Sequence, residues 1–527
     1  MEALHVYDTT LRDGAQQEGL NLSVSDKLAI AGLLDDLGVD FIEGGWPGAN
    51  PKDTEFFERA RTELHLRHAT LAAFGATRRA GSSAAEDPLV AALLNAGTSV
   101  VCLVAKSHVR HVEEALRTTL EENLDMVRDT VSHLVAAGKR VFLDAEHFFD
   151  GWHLDREYAL AVVRTAHDAG ADVIVLCDTN GGMLPHVIEE VVADVIAETG
   201  ARVGAHCHND TGCAVANSIA AVRAGATHVQ GTVNGYGERT GNADLLTVAA
   251  NLRFKLGLDV MAADSFRKAM HVAHAISEVT NVPAYSRQPY VGASAFAHKA
   301  GLHASALKVD PNLYQHMDPE LVGNGMRTLV SDMAGRASIE LKAKEAGLDL
   351  SGRPDIVVDV LARVKDLEQR GWTFDAADAT VELMVREALE PGCATYFSVE
   401  SWRVMTDSTA TGDAVSEATV KLHADGARHL ATGEGNGPVN ALDHALREAL
   451  AKAYPEIEKL ELIDYKVRIL DASHGTDAVT RVLIETSDGE TSWDTIGVAG
   501  SILAASWRAL TDGLAYGLIR QGVAPRR

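Results

Sequence analysis

The sequence predicts an α/β fold: a (β/α)8 TIM barrel over residues 1–260, mostly helical subdomains over 261–390, and an α+β domain with an internal pseudo-twofold repeat over 391–527. Three observations predict it. Short apolar runs recur at Leu4–Tyr7, Val39–Ile42, Thr70–Phe74, Ser99–Val104, Arg140–Leu143, Asp172–Cys177, Arg202–Ala205 and Thr227–Gly231, each followed by a helix-like stretch. That alternation is the pattern of strand plus crossover helix. Before several runs stands a glycine able to end a helix, at Gly38, Gly97, Gly138, Gly170 and Gly225. No glycine-rich dinucleotide fingerprint follows the first run, so a closed barrel is favoured over an open doubly wound sheet.

A barrel of this kind carries its chemistry at the C-terminal ends of its strands. The polar residues sort that way. Asp8 and the Arg12-Asp13 pair follow the first strand, Glu43 the second, Glu146 the fifth, and Asp178-Thr179 the sixth. His206 and His208 end the seventh, and Asn234 and Asn242 follow the eighth. Side chains alternate along a strand, so His206 and His208 point one way and Cys207 the other.

Beyond the barrel, Phe266–Val279 and Phe374–Leu389 have helical apolar spacing, while the stretch Tyr285–Leu329, rich in Gly, Pro, His and Ser, reads as an ordered loop. A long loop of this kind beside a barrel is commonly functional. At the C-terminus, Thr419–Leu450 reads strand, Ala424–Gly426 turn, strand, glycine-rich loop, helix; Arg481–Leu514 repeats this with a Ser487–Gly489 turn and a Gly497–Gly500 loop. Asp425 to Asp488 and Gly437 to Gly500 share one offset of 63 residues. One supersecondary unit is thus used twice.

Composition excludes several partners. Lys plus Arg number 48 against 74 Asp plus Glu, a formal charge of −26, which repels nucleic-acid backbones and anionic lipids. An anionic substrate therefore needs a local positive site. The five cysteines form no Cys-x-x-Cys pair, which fits free thiols in a reducing compartment. No basic and apolar leader and no long apolar run is read, so the expected location is the cytoplasm.

Asp13, His206, His208 and Asn242 supply one carboxylate, two imidazoles and an amide oxygen. Mixed oxygen and nitrogen ligation without thiolate suits Mn²⁺ or Mg²⁺ and tolerates Zn²⁺. Four such ligands leave two octahedral positions, which a 2-oxo acid can fill with its keto and carboxylate oxygens. Arg12, next to Asp13, is placed to stabilise a developing alkoxide or enolate.

Three motifs carry a family resemblance. Val6-Tyr-Asp-Thr-Thr-Leu-Arg-Asp-Gly14, His206-Cys-His-Asn-Asp-Thr-Gly212 and Asn234-Gly-Tyr-Gly-Glu-Arg-Thr-Gly-Asn-Ala-Asp244 resemble those of the metal-dependent acyl-CoA Claisen enzymes: isopropylmalate, homocitrate and citramalate synthases, with CoA-ester lyases as cousins. The resemblance implies a homodimer, a barrel active site, metal ligands at Asp13, His206, His208 and Asn242, and Arg12 as an electrostatic catalyst. Glu43–Asp53 and Asp144–Asp150 are similar to stretches of the citramalate branch. Ala295–His303 is similar to a mobile segment that, in the family, reaches into the partner subunit's site; the Gln-Asp usual after that histidine is Ala304-Ser305 here.

The implied reaction condenses acetyl-CoA, as co-substrate, with pyruvate and water to give citramalate and CoA, a step toward isoleucine. The nearest alternative is isopropylmalate synthesis from 2-oxoisovalerate, toward leucine. By resemblance, Glu146 and His303 are the acid–base candidates. Arg12, Glu43, Thr179 and Tyr314 are the substrate-binding candidates, with Thr179 expected to hydrogen-bond the keto-acid carboxylate and Glu43 to orient Arg12, and Asn312 and Tyr314 lie in the mobile region. The terminal repeat resembles the family's dimeric regulatory domain, which implies isoleucine or leucine as effector near Asp471–Thr476 and Gly433–Gly437. A lyase is disfavoured by that domain, and an amino-acid sensor with a dead barrel by the intact Arg12, Asp13, His206, His208 and Asn242.

Overall fold

Eight parallel strands close on themselves in the computed structural model, which describes residues 4–408, 414–470 and 478–526. They are β1 (His5–Asp8), β2 (Phe41–Glu43), β3 (Thr70–Ala76), β4 (Val100–Lys106), β5 (Arg140–Glu146), β6 (Val173–Asp178), β7 (Val203–Cys207) and β8 (His228–Gly231). Closure is made by β1 on β8, from His5 opposite His228 to Asp8 opposite Gly231.

Each predicted run lies at a strand, but β1, β2, β4, β5 and β6 run on to end at Asp8, Glu43, Lys106, Glu146 and Asp178. An apolar run stops where its apolar residues stop. The backbone ladder continues through the polar residues at the strand ends. Gly38, Gly97, Gly138, Gly170 and Gly225 all take positive φ, between 81° and 113°, the left-handed turn that ends a helix before its next strand.

Aromatic rings fill the barrel. Tyr7, Phe41, Phe74 and Phe142 cluster with Val100, Val173 and Val175, and Phe41 meets Phe142 edge to face at 5.1 Å. Truncating a fully buried ring such as Phe142 costs about 3–5 kcal/mol in cores of this kind.

The chain divides into two compact units, Met1–Phe296 with Pro319–Gly325, and Ala297–Asp318 with Met326–Arg527. Three expectations are corrected beyond the barrel. The Tyr285–Leu329 loop contains a helix, Gly301–Val309, and a parallel pairing of Ala297–His298 with Arg327–Thr328. That helix buries only Ala304 and Leu307 and leaves Leu302 exposed, too short a stripe to read as a helical period. The Phe266–Val279 helix is broken into Ala263–Phe266 and Ala269–Thr280. The last helix before the terminal domain starts at Asp378, with Phe374 buried just ahead of it.

The terminal domain repeats as three antiparallel strands and a helix. The first half is Ser398–Ser408, Ala414–Ala424, Ala427–Gly435 and the helix Pro438–Ala451; the second is Glu461–Ile469, Thr480–Ser487, Ser492–Ala499 and the helix Ile502–Arg520. The first strand of each half escaped the sequence reading; its apolar residues are largely exposed or half-buried in the fold. Asp425 and Gly426 both take positive φ, 51° and 68°, which closes the first hairpin. Asp471–Thr476 lies outside the described residues. Among the described residues, no helix is long and apolar enough to cross a membrane.

Candidate active site

The mouth is shaped first by β1 and the turn that follows it. Asp8 is fully buried and accepts from Thr10 N at 2.9 Å and Thr10 Oγ1 at 2.8 Å, while Val233 N donates to Thr10 Oγ1 at 2.9 Å. Asp8 thus braces the loop instead of serving the site. The turn presents Arg12 and Asp13. Arg12 Nε donates to Glu43 Oε1 at 2.5 Å, its Nη1 lies 3.5 Å from Asp13 Oδ1, and its guanidinium stacks 3.9 Å over the Phe74 ring. Glu43 Oε2 accepts from the Tyr7 hydroxyl at 2.7 Å.

Strand β7 delivers the imidazoles. His206 Nε2 is 3.1 Å from Asp13 Oδ2, His208 Nε2 is 3.8 Å from the same oxygen, and the two Nε2 atoms are 3.3 Å apart. Cys207 faces the other way and meets Ser218 on the helix Ala214–Arg223. Burial works against the charge on Asp13, but the Arg12 guanidinium and His206 hold it well below the usual carboxylate range. Burial likewise opposes protonation of His206, and Asp13 overrides it upward. His208 is pushed down to about 4 by burial and then by His206.

These residues fit a divalent cation. One carboxylate and two imidazoles converge within ligand range and are almost entirely buried. Asn242 is bridged to His208 through the backbone, and its Nδ2 donates to Tyr236 O at 3.0 Å. Its buried Oδ1 finds no hydrogen-bond partner, and neither does His208 Nδ1. A buried orphan acceptor next to this cluster is what a ligand oxygen looks like without its ion.

Glu146 ends β5 opposite Lys106 at the end of β4, and the two form an ion pair. The sequence reading missed Lys106; the signal was a lysine at a strand end, where this fold puts its working groups. Thr179 Oγ1 accepts from His147 N at 2.8 Å, which leaves its own hydroxyl proton free to donate. His303 and Tyr314 belong to the second compact unit, where their rings stack at 4.2 Å. Asn312 lies in the same segment, and its N and Nδ2 donate to Asp310.

Residues 3–276 match the HMGL-like family model, 290–371 the homocitrate synthase post-HMGL domain-like model, and 375–518 the LeuA allosteric (dimerisation) domain. The chain is 64% identical to the (R)-citramalate synthase of Streptomyces coelicolor, over 99% of this chain and 98% of that one. The chain belongs to the isopropylmalate, homocitrate and citramalate synthase family. It is also 47% identical to the (R)-citramalate synthase of Aquifex aeolicus, over 98% of each chain, and 30% identical to the 2-isopropylmalate synthase of Methanocaldococcus jannaschii, over 97% of this chain and 94% of that one.

Within this synthase family member, the HMGL-like match contains every mouth residue from Arg12 to Asn242, and His303 and Tyr314 fall in the post-HMGL match. In the LeuA-type domain, Asn436 and Gly437 border a cavity of about 980 Å³ that Val439, Ile457, Leu462 and Tyr465 also line. It lies at the Gly433–Gly437 neighbourhood singled out in the sequence.

Proposed function

We propose that this synthase condenses acetyl-CoA with pyruvate and water, giving (R)-citramalate and CoA. The observation that carries the reading is 64% identity, almost end to end, with the (R)-citramalate synthase of Streptomyces coelicolor. The mouth supplies groups suited to that chemistry.

Asp13, His206, His208 and Asn242 would hold the divalent cation, which when bound supplies Lewis-acid polarisation of the keto carbonyl. Arg12, clamped by Glu43 and stacked on Phe74, presents a fixed positive charge to the oxygen on which negative charge develops. Thr179 donates a hydrogen bond from its hydroxyl to the keto-acid carboxylate. Glu146, steadied by Lys106, takes a proton from the acetyl methyl group, and the resulting carbon attacks the keto carbon. His303 is assigned the second acid–base role. Water then cleaves the thioester and releases CoA. The LeuA-type domain supports a homodimer with an amino-acid effector, isoleucine for this reaction.

Thiol titration of CoA release, with acetyl-CoA and Mn²⁺ against a panel of 2-oxo acids, tests the reading. Strong release with pyruvate and little with 2-oxoisovalerate is expected. The reverse preference would assign the chain to isopropylmalate synthesis, since apolar pockets discriminate by only about 1–3 kcal/mol per methylene.

A further inference from the structure

We propose that Gln230 is a positioning residue for the cation site: its side-chain amide, oriented by Asp144, fixes His206 in the tautomer whose Nε2 is free to ligate. The proposal rests on the cation-site reading above. It concerns a chain of buried groups that no motif announced. Cys102 on β4, Asp144 on β5, Gln230 on β8 and His206 on β7 are joined across the inside of the barrel.

The directions of the hydrogen bonds follow from who can donate. Cys102 Sγ lies 3.3 Å from Asp144 Oδ1, and Gln230 Nε2 lies 2.9 Å from the same oxygen. Two donors converge on Asp144 Oδ1, so that atom accepts and takes the amino end of the amide. The other end, Gln230 Oε1, is then a carbonyl, which can only accept. It lies 2.8 Å from His206 Nδ1, so Nδ1 must carry the proton. In the neutral ring this leaves the lone pair on Nε2, the atom that faces Asp13 and His208.

The reversed amide is disfavoured by the same geometry, since it sets a carbonyl oxygen against the Asp144 carboxylate. Strand register holds the pair in place, because His206 stands opposite Gln230 in the β7–β8 ladder. Gln230 is wholly buried, so water does not substitute for either bond. An inert filler at this position would need no amide, and burying one without partners is costly. His208 contrasts with His206, for its buried Nδ1 has no hydrogen-bond partner. Histidines that ligate metals commonly donate their second ring N–H in this way, which orients the ring and raises its basicity.

The test is Mn²⁺ binding to the full chain, followed by electron paramagnetic resonance of free Mn²⁺, for wild type, Gln230→Met, Gln230→Glu and His206→Ala. Gln230→Met keeps the bulk and removes the acceptor; it should raise the Mn²⁺ Kd about 10–100-fold. Its kcat for CoA release at saturating Mn²⁺ should stay within a few-fold of wild type. Gln230→Glu restores an acceptor and should recover most of the affinity. Where Gln230→Met fails to fold, ¹⁵N-histidine spectra of Zn²⁺-loaded wild type, with His206 assigned by its loss in His206→Ala, should show the Nδ1–H tautomer.

An Nε2–H tautomer overturns the proposal, as does a Gln230→Met protein that binds Mn²⁺ as tightly as wild type. If His206→Ala weakens Mn²⁺ binding and Gln230→Met does not, only the role of Gln230 is lost. If wild type takes up no Mn²⁺, or His206→Ala binds it unchanged, the cation-site reading itself is lost, and the proposal with it.

Discussion

Half-buried Arg12 and buried Glu43 form an ion pair, Nε to Oε1 at 2.5 Å, in which Glu43 is also anchored by the Tyr7 hydroxyl at 2.7 Å. The pair fixes the plane of the guanidinium over Phe74, so its direction at the mouth is set before substrate arrives. Arg12→Lys keeps the charge and loses that planar fork. We expect kcat for CoA release to fall about 10²–10³-fold, the scale for removing one preorganised transition-state donor. Glu43→Ala leaves Arg12 without its main partner and should destabilise the barrel by about 3–5 kcal/mol, read from urea unfolding.

Removal of divalent cation tests the Asp13, His206 and His208 cluster directly. Dialysis against a chelator should abolish CoA release, and Mn²⁺ should restore it. Asp13→Asn removes the only carboxylate of the cluster and should weaken Mn²⁺ binding so that restoration needs far more metal. Full activity of the chelated protein would exclude a metal-dependent reaction.

Glu146→Gln preserves shape and removes the carboxylate proposed as the base. A drop in kcat of about 10²–10⁴-fold is expected, with the KM for pyruvate changed much less. Lys106→Met releases the Glu146 carboxylate from its partner and should lower kcat by a smaller factor. Steady-state kinetics of both variants separate the proposed role of Glu146 from that of the lysine paired with it.

Asp8 sets a pH dependence of stability. Burial raises its carboxyl to about 7, against a weaker opposing pull from the Thr10 hydrogen bonds. Between the ordinary carboxyl range near ~4 and pH 7, the folded chain keeps a proton that the unfolded chain has released. This contribution to stability therefore falls as pH rises through that window and is level above it. The unfolding midpoint of wild type should drop more steeply from pH 5 to 7 than that of Asp8→Asn, which has no proton to lose.

Much of this was legible in the sequence. The barrel, its eight strands and most mouth residues could be placed from apolar runs and helix-stopping glycines. Asp8 was misread, since a carboxylate at a strand end looks the same whether it faces the mouth or braces the turn. The helix Gly301–Val309 was hidden because it buries two side chains only. The first strand of each terminal repeat was overlooked; in the second, Ile463, Tyr465, Val467 and Ile469 alternate with Asp464, Lys466 and Arg468, a strand signal that was present but not read.

Local pattern determined the order of elements, the strand ends that carry polar groups, and the shared direction of His206 and His208, because each depends on residues adjacent in the chain. Tertiary structure alone decided that Gln230 meets His206 and Asp144, that Arg12 lies on Phe74, and that Lys106 pairs with Glu146. Those partners are far apart in sequence. Neighbouring-strand register sets Lys106 against Glu146 and Gln230 against His206, and the closed barrel brings Gln230 to Asp144 and Arg12 to Phe74.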